Sequence, residues 1–155
     1  MKIISGGQTG VDRAALDVAL THGIECGGSC PAGRLDEFGR IPDRYPVREL
    51  AAGGFNERTL QNVKDSDGTL VIHNDKLAGG TERAVCVCIE LQQPHQMIDA
   101  SKVSTEDAAK LLANFVREHD IEILNIAGPR QSEWTEGYSY TSRTLEAFLA
   151  QLAAS

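Results

Sequence analysis

A chain of 155 residues, 41% hydrophobic and 24% charged, is long enough to bury a core as one domain spanning 1–155, with no need of a disulfide or structural metal. Fifteen Lys and Arg against 22 Asp and Glu give a formal charge of −7, a field that repels nucleic acid and anionic membrane. No apolar run approaches the ~18 residues of a membrane span, so the expected partner is a small molecule, with no nucleic acid and no membrane.

The opening Met1-Lys2-Ile3-Ile4 leads straight into structure without a signal-peptide pattern, and a cytoplasmic location is expected. Residues 2–5 predict a strand entering a tight turn. Over 11–22, Val11, Ala14, Ala15, Val18 and Ala19 recur at helical spacing, Leu16 and Leu20 widen the apolar face, and Gly23 ends the helix. A brief strand over 24–28 follows. The stretch 29–55 is rich in Pro, Gly, Arg and Asp, a long connection of the kind that is more often functional than idle, with an edge strand expected over 45–50.

Asn56 is placed to cap a helix over 56–66. A buried strand is expected over 68–73, a helix opened by Gly79-Gly80-Thr81 over 79–92, and a strand over 96–99. Ser104 caps a helix over 105–119 whose Ala108, Leu111, Leu112, Phe115 and Val116 form one stripe. A last strand over 121–127 and a helix over 138–153 complete the chain. This alternation predicts an α/β fold: a parallel sheet covered on both faces by helices, with ligands bound beyond the carboxyl ends of the strands.

Three glycine turns fall between strand and helix. In Gly6-Gly7-Gln8-Thr9-Gly10 the glycines allow close approach of backbone to an anion, and a helix beginning near Thr9 aims its free N–H groups at it. The loop lacks the Gly-Lys-[Ser/Thr] ending of a Walker loop and is not a full Gly-x-Gly-x-x-Gly, so a tight turn without ligand stays open. The same logic applies to Gly79-Gly80-Thr81, with Thr81 as cap; Glu82 there is read as a structural partner of the helix dipole. In Gly128-Pro129-Arg130-Gln131-Ser132, Arg130 offers two-pronged recognition of phosphate or carboxylate.

Cys30-Pro31-Ala32-Gly33-Arg34 lies on the same side of the sheet, Cys30 being read as a small buried residue ahead of a soft metal or sulfur contact. Arg58, Thr59 and Asn62 share the polar side of their helix, facing either ligand, partner subunit or water. The four cysteines lack a C-x-x-C pair and read as free thiols. Among the histidines only His73, at a strand end, has a route to the site. No nucleophile–base pair is legible, so the residues describe a binding site more clearly than a catalytic one.

The run from Ile4 through Gly6-Gly7-Gln8-Thr9-Gly10-Val11-Asp12-Arg13-Ala14-Ala15-Leu16 to Asp17 resembles the signature of the molybdenum carrier family. The segments Cys30–Arg34, Glu57-Arg58-Thr59, Asn62-Val63, 65–70, Gly79-Gly80-Thr81 and 127–132 are similar to that family's pattern, in order over nearly the whole chain.

The resemblance implies a Rossmann-like three-layer sandwich with a mostly parallel sheet of about five strands. It implies a binding or carrier protein for the molybdenum cofactor (molybdopterin), or a similar phosphate-bearing ligand, assembled as a homodimer or homotetramer. The metal would come held by the pterin, with no protein ligand. Expected ligand-binding residues are Gly6, Gly7, Gln8, Thr9, Gly10, Arg13, Cys30, Arg34, Arg58, Asn62, Gly79, Gly80, Thr81, Gly128, Arg130 and Ser132.

The alternatives are a nucleotide phosphoribohydrolase-like enzyme using Glu82 or Asp12 and a nucleotide-sensing module acting through a partner. The phosphoribohydrolases carry Pro-Gly-Gly-x-Gly-Thr-x-x-Glu. Here the position matching that glutamate is Ala84, which turns the nearby carboxylate of Glu82 onto another helix face.

Overall fold

The computed structural model describes residues 1–154. In chain order they form β1 (Lys2–Ile4), α1 (Val11–Thr21), β2 (Glu25–Gly27), β3 (Ser29–Cys30), β4 (Leu35–Asp36), β5 (Gly39–Arg40), β6 (Arg48–Glu49), α2 (Phe55–Lys64), β7 (Gly68–His73), α3 (Gly79–Glu90), β8 (His95–Asp99), α4 (Thr105–Glu118), β9 (Ile123–Ala127) and α5 (Gly137–Ala154).

Every residue of β7 is buried, as a strand must be when helices cover both faces of its sheet. Five strands pair in parallel in the order β2-β1-β9-β7-β8. Counted from β9 and wrapping through the amino terminus, that order reads 3-2-1-4-5, the doubly wound Rossmann sequence with its chain opened at a different connection. The topological switch falls between β9 and β7. A ligand crevice is expected beyond their carboxyl ends.

Helices α1, α4 and α5 pack on one face through Val11, Ala15, Val18, Leu112, Phe115, Leu145 and Phe148 against Ile3, Leu70, Ile72, Leu124 and Ile126. Helices α2 and α3 cover the other through Val63, Val87 and Cys88. The apolar spacing read in α1 buries as expected except at Leu20, which is 43% exposed, while Leu16 turns into a separate core. Gly23, at φ 65°, ends that helix with Ile24 N–H donating back to the carbonyl of Ala19.

The segment 29–55 departs furthest from expectation. Its edge strand is only Arg48–Glu49, paired in parallel with Ser29–Cys30 in a small sheet of its own rather than at the edge of the main one. Leu35–Asp36 and Gly39–Arg40 make a second two-stranded piece. Between them Leu16, Cys30, Ile41, Tyr45 and Val47 form a satellite core. The segment is therefore packed, because it carries enough apolar side chains to bury its own backbone against α1.

Capping differs in two helices. Gly54, not Asn56, is the N-cap of α2, since the Glu57 carboxylate accepts from the Gly54 N–H at 3.3 Å. Ala78 is the N-cap of α3, leaving Thr81 inside the first turn, and no side chain caps that end. Ser104 caps α4 as read, accepting from the Asp107 N–H at 3.1 Å.

Candidate functional site

The three glycine turns meet at one end of the sheet, around an open cleft. After β1 come Gly6 and Gln8, with Asp12 from the first turn of α1. Gly80, Thr81 and Ala84 come from α3, Arg58, Thr59 and Asn62 from α2. The floor is the end of β9 from Asn125 to Gly128, and Arg130 and Glu133 close one side.

Helix α2 is polar where it is because that face borders the cleft rather than bulk water. Arg58 Nη1 lies 3.1 Å from Asp12 Oδ2, with side-chain exposures of 11% and 6%. The backbone amides of Gln8 and Gly6 also favour the ionised Asp12 carboxylate. Burial nevertheless dominates and pushes the Asp12 carboxyl up to about 6, against the opposing pull of Arg58, the loop amides and Arg13.

The glycines of the first loop thus have internal reasons to be glycine. A Cβ on Gly6 would stand 1.9 Å from Arg58 Nη1, so this residue admits the guanidinium. Gly7, at φ 73°, packs on Ile41 and Val47, and Gly10, at φ 80°, lets Pro129 and Gln131 approach. The loop's anion is already supplied by Asp12.

Donors that remain unspent point elsewhere in the cleft. Gln8 is 5% exposed, and its Oε1 accepts from the N–H of Thr9 at 3.0 Å and of Glu37 at 2.9 Å. Those two backbone donors fix the amide orientation, leaving buried Nε2 without a partner. The uncapped amino end of α3 presents Gly80 and Thr81 to the same space, with nothing within 4 Å of a Cβ built on Gly80. Arg130 pairs with Glu133 at 3.0 Å and lies 5.5 Å from the Phe55 ring, which Arg58 also approaches at 5.4 Å.

Of the expected ligand residues, Gly6, Gln8, Arg58, Asn62, Gly80, Thr81, Gly128 and Arg130 line this cleft. Asn62 is also clamped to β3, its amide exchanging hydrogen bonds with the N–H and carbonyl of Ser29 at 2.7 and 2.9 Å. Gly7, Thr9, Gly10, Arg13, Cys30, Arg34, Gly79 and Ser132 are not among its walls.

Most of these hold the loops in place. Thr9 and Ser132 both hydrogen-bond the Glu37 carboxylate, and the Thr9 hydroxyl accepts from the Gln131 N–H at 3.0 Å, tying the first loop to the third. Burial acts to raise the Glu37 carboxyl, but these hydrogen bonds outweigh it and hold it below its ordinary value. Arg13 donates to the Gly7 carbonyl and pairs with Asp36 at 2.8 Å. Arg34, at φ 54°, fans its guanidinium over the carbonyls of Ile41, Pro42, Tyr45 and Val47. Cys30 is fully buried in the satellite core, and burial pushes its thiol up.

Asn125 and Glu133 line the cleft without a sequence signal that marked them; Ala84, at the matched glutamate position, lines it too, while Glu82 is exposed and not among its walls. Glu37 had none either, since its partners are 28 and 95 residues away. His73 is buried, with Nδ1 unpartnered, and stands outside the cleft walls. All four cysteines are free. Among the described residues no cluster of three or more His, Cys, Asp or Glu is placed to hold a metal ion, and no helix is long and apolar enough to cross a membrane.

No curated protein matches this chain. A crystal structure of the "Putative molybdenum carrier protein" of Syntrophus aciditrophicus superposes with a TM-score of 0.94 at 47% identity, covering 96% of this chain and 94% of that one. The model of the circularly permutated YpsA SLOG family matches residues 3–149, in keeping with a Rossmann order that closes only when counted from β9. The chain belongs to the circularly permutated YpsA SLOG family.

Proposed function

We propose that this protein binds and carries the molybdenum cofactor, or a similar phosphate-bearing, nucleotide-like ligand, at the glycine loops on the carboxyl edge of the sheet. The observation that carries this reading is the convergence of donors on one cleft: the unpartnered Gln8 Nε2, the amino end of α3 without a side-chain cap, and the Arg130 guanidinium, which pairs with Glu133 at the cleft wall. A phosphate group fits the α3 end, where N–H groups and helix dipole act together. Gln8 and Asp12, at the opposite side, suit the hydrogen-bonding edge of a heterocycle.

The fit to the cofactor is of this polar kind alone. Its metal would arrive held by the pterin, and the buried Cys30 thiol lies outside the cleft walls. A cytoplasmic homodimer or homotetramer completes the proposal, with exposed Ile89 of α3 and Met97 of edge strand β8 as apolar surface for a second copy. Anaerobic incubation with extracted cofactor, followed by gel filtration, tests the reading: pterin should elute with the protein. Elution of all pterin in the free fraction would refute it.

A second reading has one observation in its favour. A buried carboxyl poised at about 6 in a cleft is suited to general acid–base work, so Asp12 could serve nucleotide hydrolysis. It predicts release of free base from a nucleoside monophosphate, lost in Asp12→Asn.

A further inference from the structure

Four charged side chains line the cleft, and they cancel in pairs: Arg58 with Asp12 at 3.1 Å and Arg130 with Glu133 at 3.0 Å. An anion entering a cleft so balanced must draw a cation away from its carboxylate. The two carboxylates meet that demand differently, because they are buried to different degrees. Glu133 has 47% of its side chain exposed and can turn into water. Asp12, in the first turn of α1, has 6% and cannot. Left ionised beside a bound anion, it would be a second negative charge in a region nearly shut off from solvent.

We propose that the cleft takes its anion together with one proton from solvent, held on the Asp12 carboxyl, so that Arg58 passes from Asp12 to the ligand. This rests on the reading of the cleft as a phosphate site and adds how that site is regulated.

Arg58 has donor capacity for the exchange. Its Nη1 meets Asp12 Oδ2 and its Nε donates to the Phe55 carbonyl at 3.4 Å, while Nη2 has no hydrogen-bond partner among the described residues. Gly6 keeps the space around Nη1 free of any side chain of its own.

Asp12 is equally suited to hold the proton. Burial already raises its carboxyl to about 6, against Arg58, the Gln8 and Gly6 amides and Arg13. Arg58 is the largest of these opposing pulls, and a ligand that takes its charge removes it. The ligand's own negative charge then acts in the same sense as burial, so the carboxyl rises past neutrality. No other cation steps in. Arg13 is paired with Asp36 at 2.8 Å, Arg130 faces Glu133, and the floor from Asn125 to Gly128 carries no charge. The sign follows: the free carboxyl is mostly ionised at pH 7.5, binding draws a proton in, and affinity rises as pH falls towards 6.

Wild type and Asp12→Asn are titrated calorimetrically at pH 7.5 with sulfate and with AMP, each in two buffers of different ionisation heat. Both probes are essentially dianionic at this pH, so a proton taken up belongs to the protein. Wild type should take up more than about half a proton per anion bound, and sulfate should bind about tenfold more tightly at pH 6 than at pH 7.5. Asp12→Asn should bind without proton uptake. Anion binding to wild type with no uptake and no pH dependence, or uptake that persists in Asp12→Asn, overturns the proton coupling while leaving the phosphate cleft standing. Failure of both probes to bind wild type overturns the cleft reading and the coupling with it.

Discussion

Arg58 reaches from α2 across the first glycine loop to place Nη1 3.1 Å from Asp12 Oδ2, over a Gly6 that has no side chain to obstruct it. The pair is nearly shut off from water, so it both shapes the cleft and makes the protein sensitive to pH. A buried pair of this kind gives little net stability while intact, yet is costly to break.

Stability should rise as pH falls through the range set by Asp12. Its carboxyl titrates at about 6 in the fold and at 3.8 without it, so the folded state holds the proton more tightly. The stabilisation from that proton is fully present below the unfolded value of 3.8 and is lost as pH rises through about 6. The difference is worth ~3 kcal/mol. Urea midpoints measured from pH 4 to 7 should show a component in wild type that Asp12→Asn lacks. Parallel curves for the two proteins would contradict it.

Arg58→Ala should destabilise the fold by ~3–5 kcal/mol at pH 7, the range for leaving a buried charge unpaired. At pH 5 the loss should be smaller, since a protonated Asp12 no longer needs the cation. Denaturation at the two pH values gives the comparison; an equal loss at both would show that Arg58 matters through packing alone.

Two glycine substitutions separate internal packing from ligand access. Gly6→Ala drives a methyl into the Arg58 guanidinium and should destabilise by roughly the cost of losing the pair, ~3 kcal/mol. Gly80→Ala meets open space in the first turn of α3 and should be neutral or stabilising by up to ~1 kcal/mol, while weakening phosphate binding. Melting temperatures and phosphate titrations on both variants decide it.

Thr9→Val deletes a hydroxyl that bonds Glu37 and accepts from the Gln131 N–H. The half-buried amide left behind should cost ~1 kcal/mol, and Thr9→Ser should restore it. Equal stability of the valine and serine variants would show the tie to be dispensable.

The layers were legible in the sequence because each main strand and helix carries its own period. Val11, Ala15 and Val18 announce the buried face of α1, and the run 68–73 announces a strand covered on both sides. Strand order was not, since local spacing says nothing of which strand lies beside β9. The glycine turns meet at one end of the sheet, as their place between strand and helix implied, but the internal contact of the first could not be read. Gly6 is small to admit Arg58, from 52 residues away, and no local pattern shows that contact. Glu37 escaped for the same reason: its partners Thr9 and Ser132 come from loops that meet only in the fold.

The most direct test of the cleft as a phosphate-ligand site is a thermal-shift panel on wild type and Arg130→Ala with phosphate, molybdate, AMP and anaerobically extracted molybdenum cofactor. A ligand at 100 times its dissociation constant adds about 2.7 kcal/mol, which should raise Tm by roughly 5–10 °C in a domain of this size. Loss of the Arg130 contact should weaken binding by ~1.5–3 kcal/mol. The account predicts that a phosphate-bearing ligand stabilises wild type and that the same concentration shifts Arg130→Ala much less. No shift with any phosphate-bearing ligand, or an equal shift in both proteins, would contradict it.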